Sequence, residues 1–200
     1  MTSPEINEYY DATIDRKIRP DLLHALELVG NTKIAIDCGC GAGSDIAYLL
    51  TEGFTVHGFD IESESILRCK ERFNGDADLY LSQDSFKTFS YPPASLVVAD
   101  ASLFFCPAGD FPEVWSRISM ALTPGGIFVG SFLGPRDTMA GKDYEREAFW
   151  PEVLVFTESR LRSNFKGFEI VNWTEHELDG ETAQGTPHHW HIFSVVVRKI

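Results

Sequence analysis

Seven short apolar runs mark the chain from Ile34 onward, and between most of them the apolar positions switch to the three-to-four residue spacing of a helix. Ile34, Ala35 and Ile36 form the first run, closed by Asp37 and a group of glycines. Ile46, Ala47, Leu49 and Leu50 then recur at helical spacing and stop at Gly53. Thr55 to Asp60 reads as the second strand, and Ser63 to Phe73 as a helix ended by Asn74-Gly75. Ala77 to Gln83 and Ser95 to Ala99 supply the third and fourth strands, the fourth apolar on both faces as a central parallel strand must be. Asp110 followed by Glu113 resembles a capping box, which predicts a helix from Phe111 to about Ala121. Thr123-Pro124-Gly125-Gly126 ends that helix, and Ile127 to Phe132 is the fifth strand.

Strands alternating with helices of this length pair in parallel through right-handed crossovers, with helices on both faces. The expected class is therefore α/β: a doubly wound, seven-stranded, mostly parallel sheet of Rossmann-like design. The ends depart from the repeat. Leu22, Leu23, Leu26 and Val29 share one face of a further helix, with Pro20 in its first turn. Phe168 to Thr174 and His191 to Val197 read as strands with no uninterrupted helical segment between them, so they should form a C-terminal antiparallel pair at the sheet edge. Residues 134–156 are long for a loop, and such loops serve as lids or stay disordered.

Two hundred residues, 44% of them hydrophobic, suit a single domain over residues 1–200, with residues 1–30 as an N-terminal lid and helix. A formal net charge of -13 repels phosphate backbones and anionic membranes, so neither nucleic acid nor membrane is an expected partner. The N-terminus lacks an apolar stretch flanked by basic residues, which points to a cytoplasmic protein. Cys38, Cys40, Cys69 and Cys106 make no paired CxxC sets, so free thiols are expected and no zinc site. His188, His189 and His191 lack a neighbouring carboxylate at ligand spacing in sequence, and no metal is expected there either. The oligomeric state is left open between monomer and homodimer.

The chemistry concentrates in Asp37-Cys38-Gly39-Cys40-Gly41-Ala42-Gly43, placed where a strand passes into a helix. Alternate glycines let the backbone turn sharply and approach a ligand. A dinucleotide fingerprint would put its last glycine at position 44 or 46, which here are Ser44 and Ile46, so an NAD-type oxidoreductase becomes the weaker alternative. The loop also lacks the Lys-Ser or Lys-Thr of a P-loop, and Asp37 would repel phosphate. Asp60, ending the second strand, brings a carboxylate to the same sheet edge, where it can accept both ribose hydroxyls of a nucleoside.

Ile34 to Gly43, then Val56-His57-Gly58-Phe59-Asp60, then Leu122-Thr123-Pro124-Gly125-Gly126 resemble the successive motifs of class I S-adenosylmethionine-dependent methyltransferases. Arg19-Pro20, Phe156 to Leu161 and Phe168 to Val171 are similar to the tellurite-resistance and thiopurine-type branch, which methylates small soft nucleophiles. The resemblance implies S-adenosylmethionine as cofactor. It implies that Asp37, Gly39, Cys40, Gly41 and Gly43 hold the methionyl portion, Asp60 the ribose, and Ile61 the adenine face. Asp84 and Ser85 would meet the adenine edge, and Ala99 and Asp100 the methionyl amine and reaction centre. Tyr10 and Arg19 are candidates for the methionyl carboxylate. The implied acceptor is a small molecule, such as a thiol, a metalloid oxyanion or another soft nucleophile.

Displacement at a sulfonium needs alignment and exclusion of water more than a covalent catalyst. An acceptor that must lose a proton would need a base, and Asp100 and His191 are the candidates. Phe104, Phe105, Phe111 and Trp115 follow the fourth strand and suit either an acceptor pocket or the core. The N-terminal segment, with Tyr9, Tyr10 and Arg19, and residues 134–156, with Phe149 and Trp150, would together cover the pocket. A non-catalytic nucleoside-binding regulator would show the same motifs.

Overall fold

The computed structural model describes residues 4–142, 144, 152–182 and 185–200. Two helices, α1 (Pro4–Thr13) and α2 (Pro20–Leu28), precede β1 (Ile34–Cys38), α3 (Ser44–Thr51), β2 (Thr55–Asp60) and α4 (Ser63–Arg72). β3 (Leu79–Gln83), β4 (Ala94–Ala99), α5 (Phe111–Ala121) and β5 (Leu122–Leu133) follow, then α6 (Glu158–Asn164), β6 (Phe168–Glu181) and β7 (Pro187–Lys199). The strands form one sheet in the order β3-β2-β1-β4-β5-β7-β6. β1 pairs in parallel with both β2 and β4, which makes its C-terminal end the point where the strand order reverses. β7 runs antiparallel to both β5 and β6, which confirms the expected C-terminal pair.

Each face of the sheet buries its own layer. Ile36, Val97, Phe128 and Val195 pack against Val114, Trp115 and Ile118 of α5 and Leu161 of α6. Ala35, Val56, Leu96 and Val129 pack on the other face against α2, α3 and α4 through Leu22, Ile46 and Ile66. All six residues of β4 are buried, which is why its sequence shows no alternation. A third, smaller cluster of Phe104, Leu133, Met139 and Ile192 sits past the C-terminal edge of β4 and β5.

Several elements differ from the sequence expectation. The N-terminal lid segment is a helix, α1, and α6 is a helix too short for its periodicity to be read; Thr157 caps it by accepting from the Arg160 amide at 3.4 Å. The Thr123–Gly126 turn lies within the span of β5 as an irregularity, where the register against β4 shifts between Ala94 and Leu96. β6 and β7 run far past the expected ends, pairing Glu175↔Phe193 through Glu181↔Pro187. From Glu177↔His191 onward the two strands pair with each other beyond the end of the β5–β7 ladder and carry charge, so their sequence looks like loop.

The segment 134–156 divides. Leu154 and Phe156 are buried, the Phe156 amide donates to Leu133 O at 2.8 Å, and Thr138–Ala140 form a 3-10 turn. Those parts are built into the body of the domain. Phe149 and Trp150 lie outside the described residues. Among the described residues no helix is long and apolar enough to cross a membrane.

Candidate functional site

β1 ends at Cys38 and the chain turns through Gly39, Gly41 and Gly43, all with positive φ (73, 52 and 78°). A Cβ on Gly39 would stand 2.7 Å from the Ser102 Cβ, and one on Gly43 would meet the Phe73 ring and Cys69 Sγ at 2.8 and 2.9 Å. Space as well as backbone geometry therefore requires glycine. The Gly39 and Cys40 amides donate to Phe59 O at 2.9 and 3.0 Å, joining the loop to the end of β2.

Asp60 completes that junction. Its Oδ2 accepts the Gly41 amide and its Oδ1 the Glu62 amide, each at 2.9 Å. Burial raises its pKa, while these bonds pull it back down. The Ser65 side chain and the Ile61 amide also favour the ionised form, and vicinal hydroxyls would share the carboxylate with these donors. Ile61 beside it is 60% exposed, an apolar surface free to receive a flat ring. Asp84 and Ser85 stand next door at the end of β3, where the Asp84 amide donates to Asp60 O at 3.0 Å. The structure thus brings Gly39 to Gly43, Asp60, Ile61, Asp84 and Ser85 to one edge.

A second group lies where β1 and β4 end. Asp37 is 4% exposed and its Oδ2 has no hydrogen-bond partner. Burial and then the nearby Asp45 carboxylate push its pKa well up, with Arg16 opposing. Arg16 bridges Asp45 at 2.6 Å and Asp100 at 3.0 Å, and Arg19 Nε contacts the same Asp100 oxygen at 2.6 Å. The other Asp100 oxygen accepts from Ser131 Oγ at 3.0 Å. Three aspartates against two arginines leave the corner one cation short, so a ligand ammonium suits it, while the arginines can turn to a carboxylate.

Helix α1 covers the loop. Tyr10 is buried, and a Cβ on Gly41 would lie 3.8 Å from its ring. Arg68 of α4 binds Asp11 at 2.5 Å and stacks over Tyr10, Arg72 donates to Ile14 O and Ala42 O, and Ser44 Oγ donates to Thr13 O at 2.6 Å. Arg16 and Asp45 were missed in the sequence because DRKIRP reads as solvated charge and Asp45 as an ordinary first-turn acid.

Other candidates are placed differently. Arg19 holds Asp100, and the Cys40 and Ala99 side chains are buried, so only their backbones can meet a ligand. Phe111 and Trp115 belong to the main core, and Phe104 to the small cluster beyond the strand ends. His191 is buried; its Nδ1 accepts the Arg136 amide at 3.0 Å and its Nε2 meets Glu175 Oε1 at 2.8 Å. Both nitrogens are used, so His191 fastens residue 136 to the β6–β7 hairpin and is not free to take a proton from substrate. Glu175, Glu177 and His191 come close enough to hold a metal ion, yet Arg136 lies among them, 2.5 Å from Glu177 and 3.1 Å from Glu175. That guanidinium already neutralises the carboxylates, and the Nδ1 bond puts the imidazole proton on the nitrogen a metal would need. His189 pairs with exposed Asp179 at 2.7 Å, and His188 with buried Asp137 at 2.9 Å.

Residues 35–126, just under half of the chain, match the family model described as a methyltransferase domain. TehB from Haemophilus influenzae superposes with TM-score 0.72 at 18% identity, covering 98% of this chain and 67% of that one. The 1,6-didemethyltoxoflavin-N1-methyltransferase of Burkholderia thailandensis, solved with bound 1,6-didemethyltoxoflavin and S-adenosylhomocysteine, superposes with TM-score 0.66 at 19% identity, covering 100% of this chain and 91% of that one. The carboxy-S-adenosyl-L-methionine synthase of Chromohalobacter salexigens is 28% identical over 100 residues, 46% of this chain. The chain spans only 37% of that relative's length. The sheet order, with its terminal antiparallel pair, is shared with these methyltransferase structures, and residues 35–126 are the part similar to the methyltransferase domain model.

Proposed function

We propose that residues 1–200 act as one S-adenosylmethionine-dependent methyltransferase domain, transferring a methyl group to a small-molecule acceptor. The observation that carries this is the convergence at one strand edge of the glycine loop, the Asp60 carboxylate that bonds to it, and the buried, unpartnered Asp37 oxygen. When bound there, S-adenosylmethionine supplies a methyl group made electrophilic by the adjoining sulfonium. Asp60 accepts the ribose hydroxyls, Ile61 covers one adenine face, and Asp84 and Ser85 meet its edge. Asp37 and Asp100 face the ammonium, and Arg16, with Arg19 beside it, takes the methionyl carboxylate. Tyr10 and the rest of α1 exclude water from the loop.

Asp100 is tied to two arginines and Ser131, and His191 has no free nitrogen. Neither candidate base stands ready to remove a proton. This favours an acceptor that arrives as a nucleophile already, such as a thiolate or a metalloid oxyanion. A net charge of -13 favours small solutes over nucleic acid or anionic membrane, in keeping with a cytoplasmic monomer or homodimer.

Thermal denaturation with S-adenosylhomocysteine, S-adenosylmethionine and NAD tests the ligand, and incubation with labelled donor plus a small-molecule extract tests transfer. Both adenosyl compounds should raise the melting temperature and NAD should not. A shift with NAD alone would overturn the proposal. A shift without labelled product would leave the second reading, a nucleoside-binding regulator.

A further inference from the structure

Two buried thiols, Cys40 within the glycine loop and Cys69 beneath it, have side chains that none of the ligand contacts uses. Ser65 and Cys69 are one turn apart on α4 and reach the same loop carbonyl: Ser65 Oγ donates to Gly41 O at 2.7 Å and Cys69 Sγ at 3.4 Å. Cys40, inside the loop, places its Sγ 3.8 Å from the same Ser65 Oγ, so both thiols border the corner formed by Ser65 and Gly41 O. All four cysteines are free and buried, and Cys106 by contrast bonds only to its neighbour, Pro107 O. The neighbouring Cys40 side chain and then Arg72 favour the Cys69 thiolate, so Cys69 is the more nucleophilic of the pair.

We propose that Cys40 and Cys69 are a reversible oxidation site at which a hydroperoxide forms a disulfide that clamps the glycine loop onto α4 and closes it to the adenosyl ligand. Cys69 sulfur attacks the peroxide, breaking the O–O bond; the sulfur becomes a sulfenic acid and the other oxygen leaves as water or alcohol. Cys40 sulfur then attacks Cys69 sulfur and expels the sulfenic oxygen as water. Two thiols lose two electrons and two protons, the peroxide takes both electrons, and an external thiol reverses the step. Access depends on α1, because Tyr10 lies over Gly41 and Arg68 and Arg72 tie α1 to the helix that carries Cys69. A bound ligand that holds α1 down therefore shields the thiols.

The disulfide stands apart from the methyltransferase proposal, and only its effect on ligand rests on it. The full-length reduced protein is exposed to hydrogen peroxide, alkylated, and digested without reductant. A peptide joining Cys40 to Cys69, lighter by two hydrogens than its reduced parts, is expected. It should form more slowly with S-adenosylhomocysteine present, the thermal shift by that compound should be lost, and dithiothreitol should restore both. Cys69→Ser and Cys69→Ala should give no link and keep the shift after peroxide, while Cys106→Ser should behave as the parent. No Cys40–Cys69 peptide, over-oxidation to sulfinic acid in its place, or a linked protein with an unchanged shift would overturn the proposal. A link in a protein whose reduced form shows no shift would uphold the oxidation site and overturn the ligand reading.

Discussion

Asp60 accepts the Gly41 and Glu62 amides, which also shape the loop, and the Ser65 side chain and Ile61 amide bear on the same carboxylate. Removing it deletes the two hydroxyl contacts and loosens Gly41. Asp60→Ala should weaken S-adenosylhomocysteine binding by about 2 to 4 kcal/mol by calorimetry, with the circular dichroism spectrum retained. Unchanged affinity would remove Asp60 from the site. Asp137 is the opposite kind of aspartate. Its side chain is wholly buried and accepts from His188 Nε2, the Met139 amide and the His191 amide, all at 2.9 Å. Asp137→Ala leaves three buried donors without an acceptor and should cost about 3 to 5 kcal/mol in urea denaturation. A loss under about 1 kcal/mol would show that water or neighbours satisfy those donors instead.

Among the elements, those with one buried face were legible and those held by polar ties were not. β2 and α5 show the period of their core contacts, β1 and β4 the unbroken apolar run of strands buried on both faces, and the glycine loop and Asp60 follow from where β1 and β2 end. α1 could not be read, because what holds it is Arg68, Arg72 and Ser44 reaching from other elements. The far half of the β6–β7 hairpin could not be read either, since Glu175, Glu177 and Asp179 find their partners in Arg136 and His189. The same blindness hid Arg16 and put weight on Arg19. Arg16 has less exposed side chain (26% against 44%) and holds two carboxylates where Arg19 holds one. Arg16→Ala should therefore weaken S-adenosylhomocysteine at least about tenfold, and more than Arg19→Ala does. The reverse order would return the clamp to Arg19. If α1 is a lid, hydrogen exchange at residues 6–13 should slow when the ligand binds, and an unchanged rate would make it fixed structure.

At the scale of the whole molecule, acidity and ligand binding act on the same charges. The chain carries -13, and three carboxyls at its functional edge, Asp37, Asp45 and Asp60, stand above their ordinary pKa with burial as the leading cause. Around Asp37 the facing groups are Asp45, Arg16, Cys69 and Asp60, three acids to one base. A carboxyl whose pKa is raised by folding adds stability that is complete below its unfolded pKa and is lost as pH rises through the folded value. The ligand-free protein should thus lose stability from the ordinary carboxylate range upward, and relief of the net negative charge at lower pH acts in the same direction. Glu177, held down by Arg136, works the other way, but it is exposed and its weight is small. A ligand ammonium set against Asp37 should reverse the trend by favouring its ionised form. The ligand-free melting temperature should then be higher at about pH 5.5 than at about pH 7.5, and S-adenosylhomocysteine should raise it more at the higher pH. Calorimetric titration near neutral pH should show protons released on binding, by heats that change with the ionisation enthalpy of the buffer. Heats independent of buffer, with a ligand shift equal at both pH values, would mean that Asp37 is already charged in the empty site and that its unpartnered oxygen has another purpose.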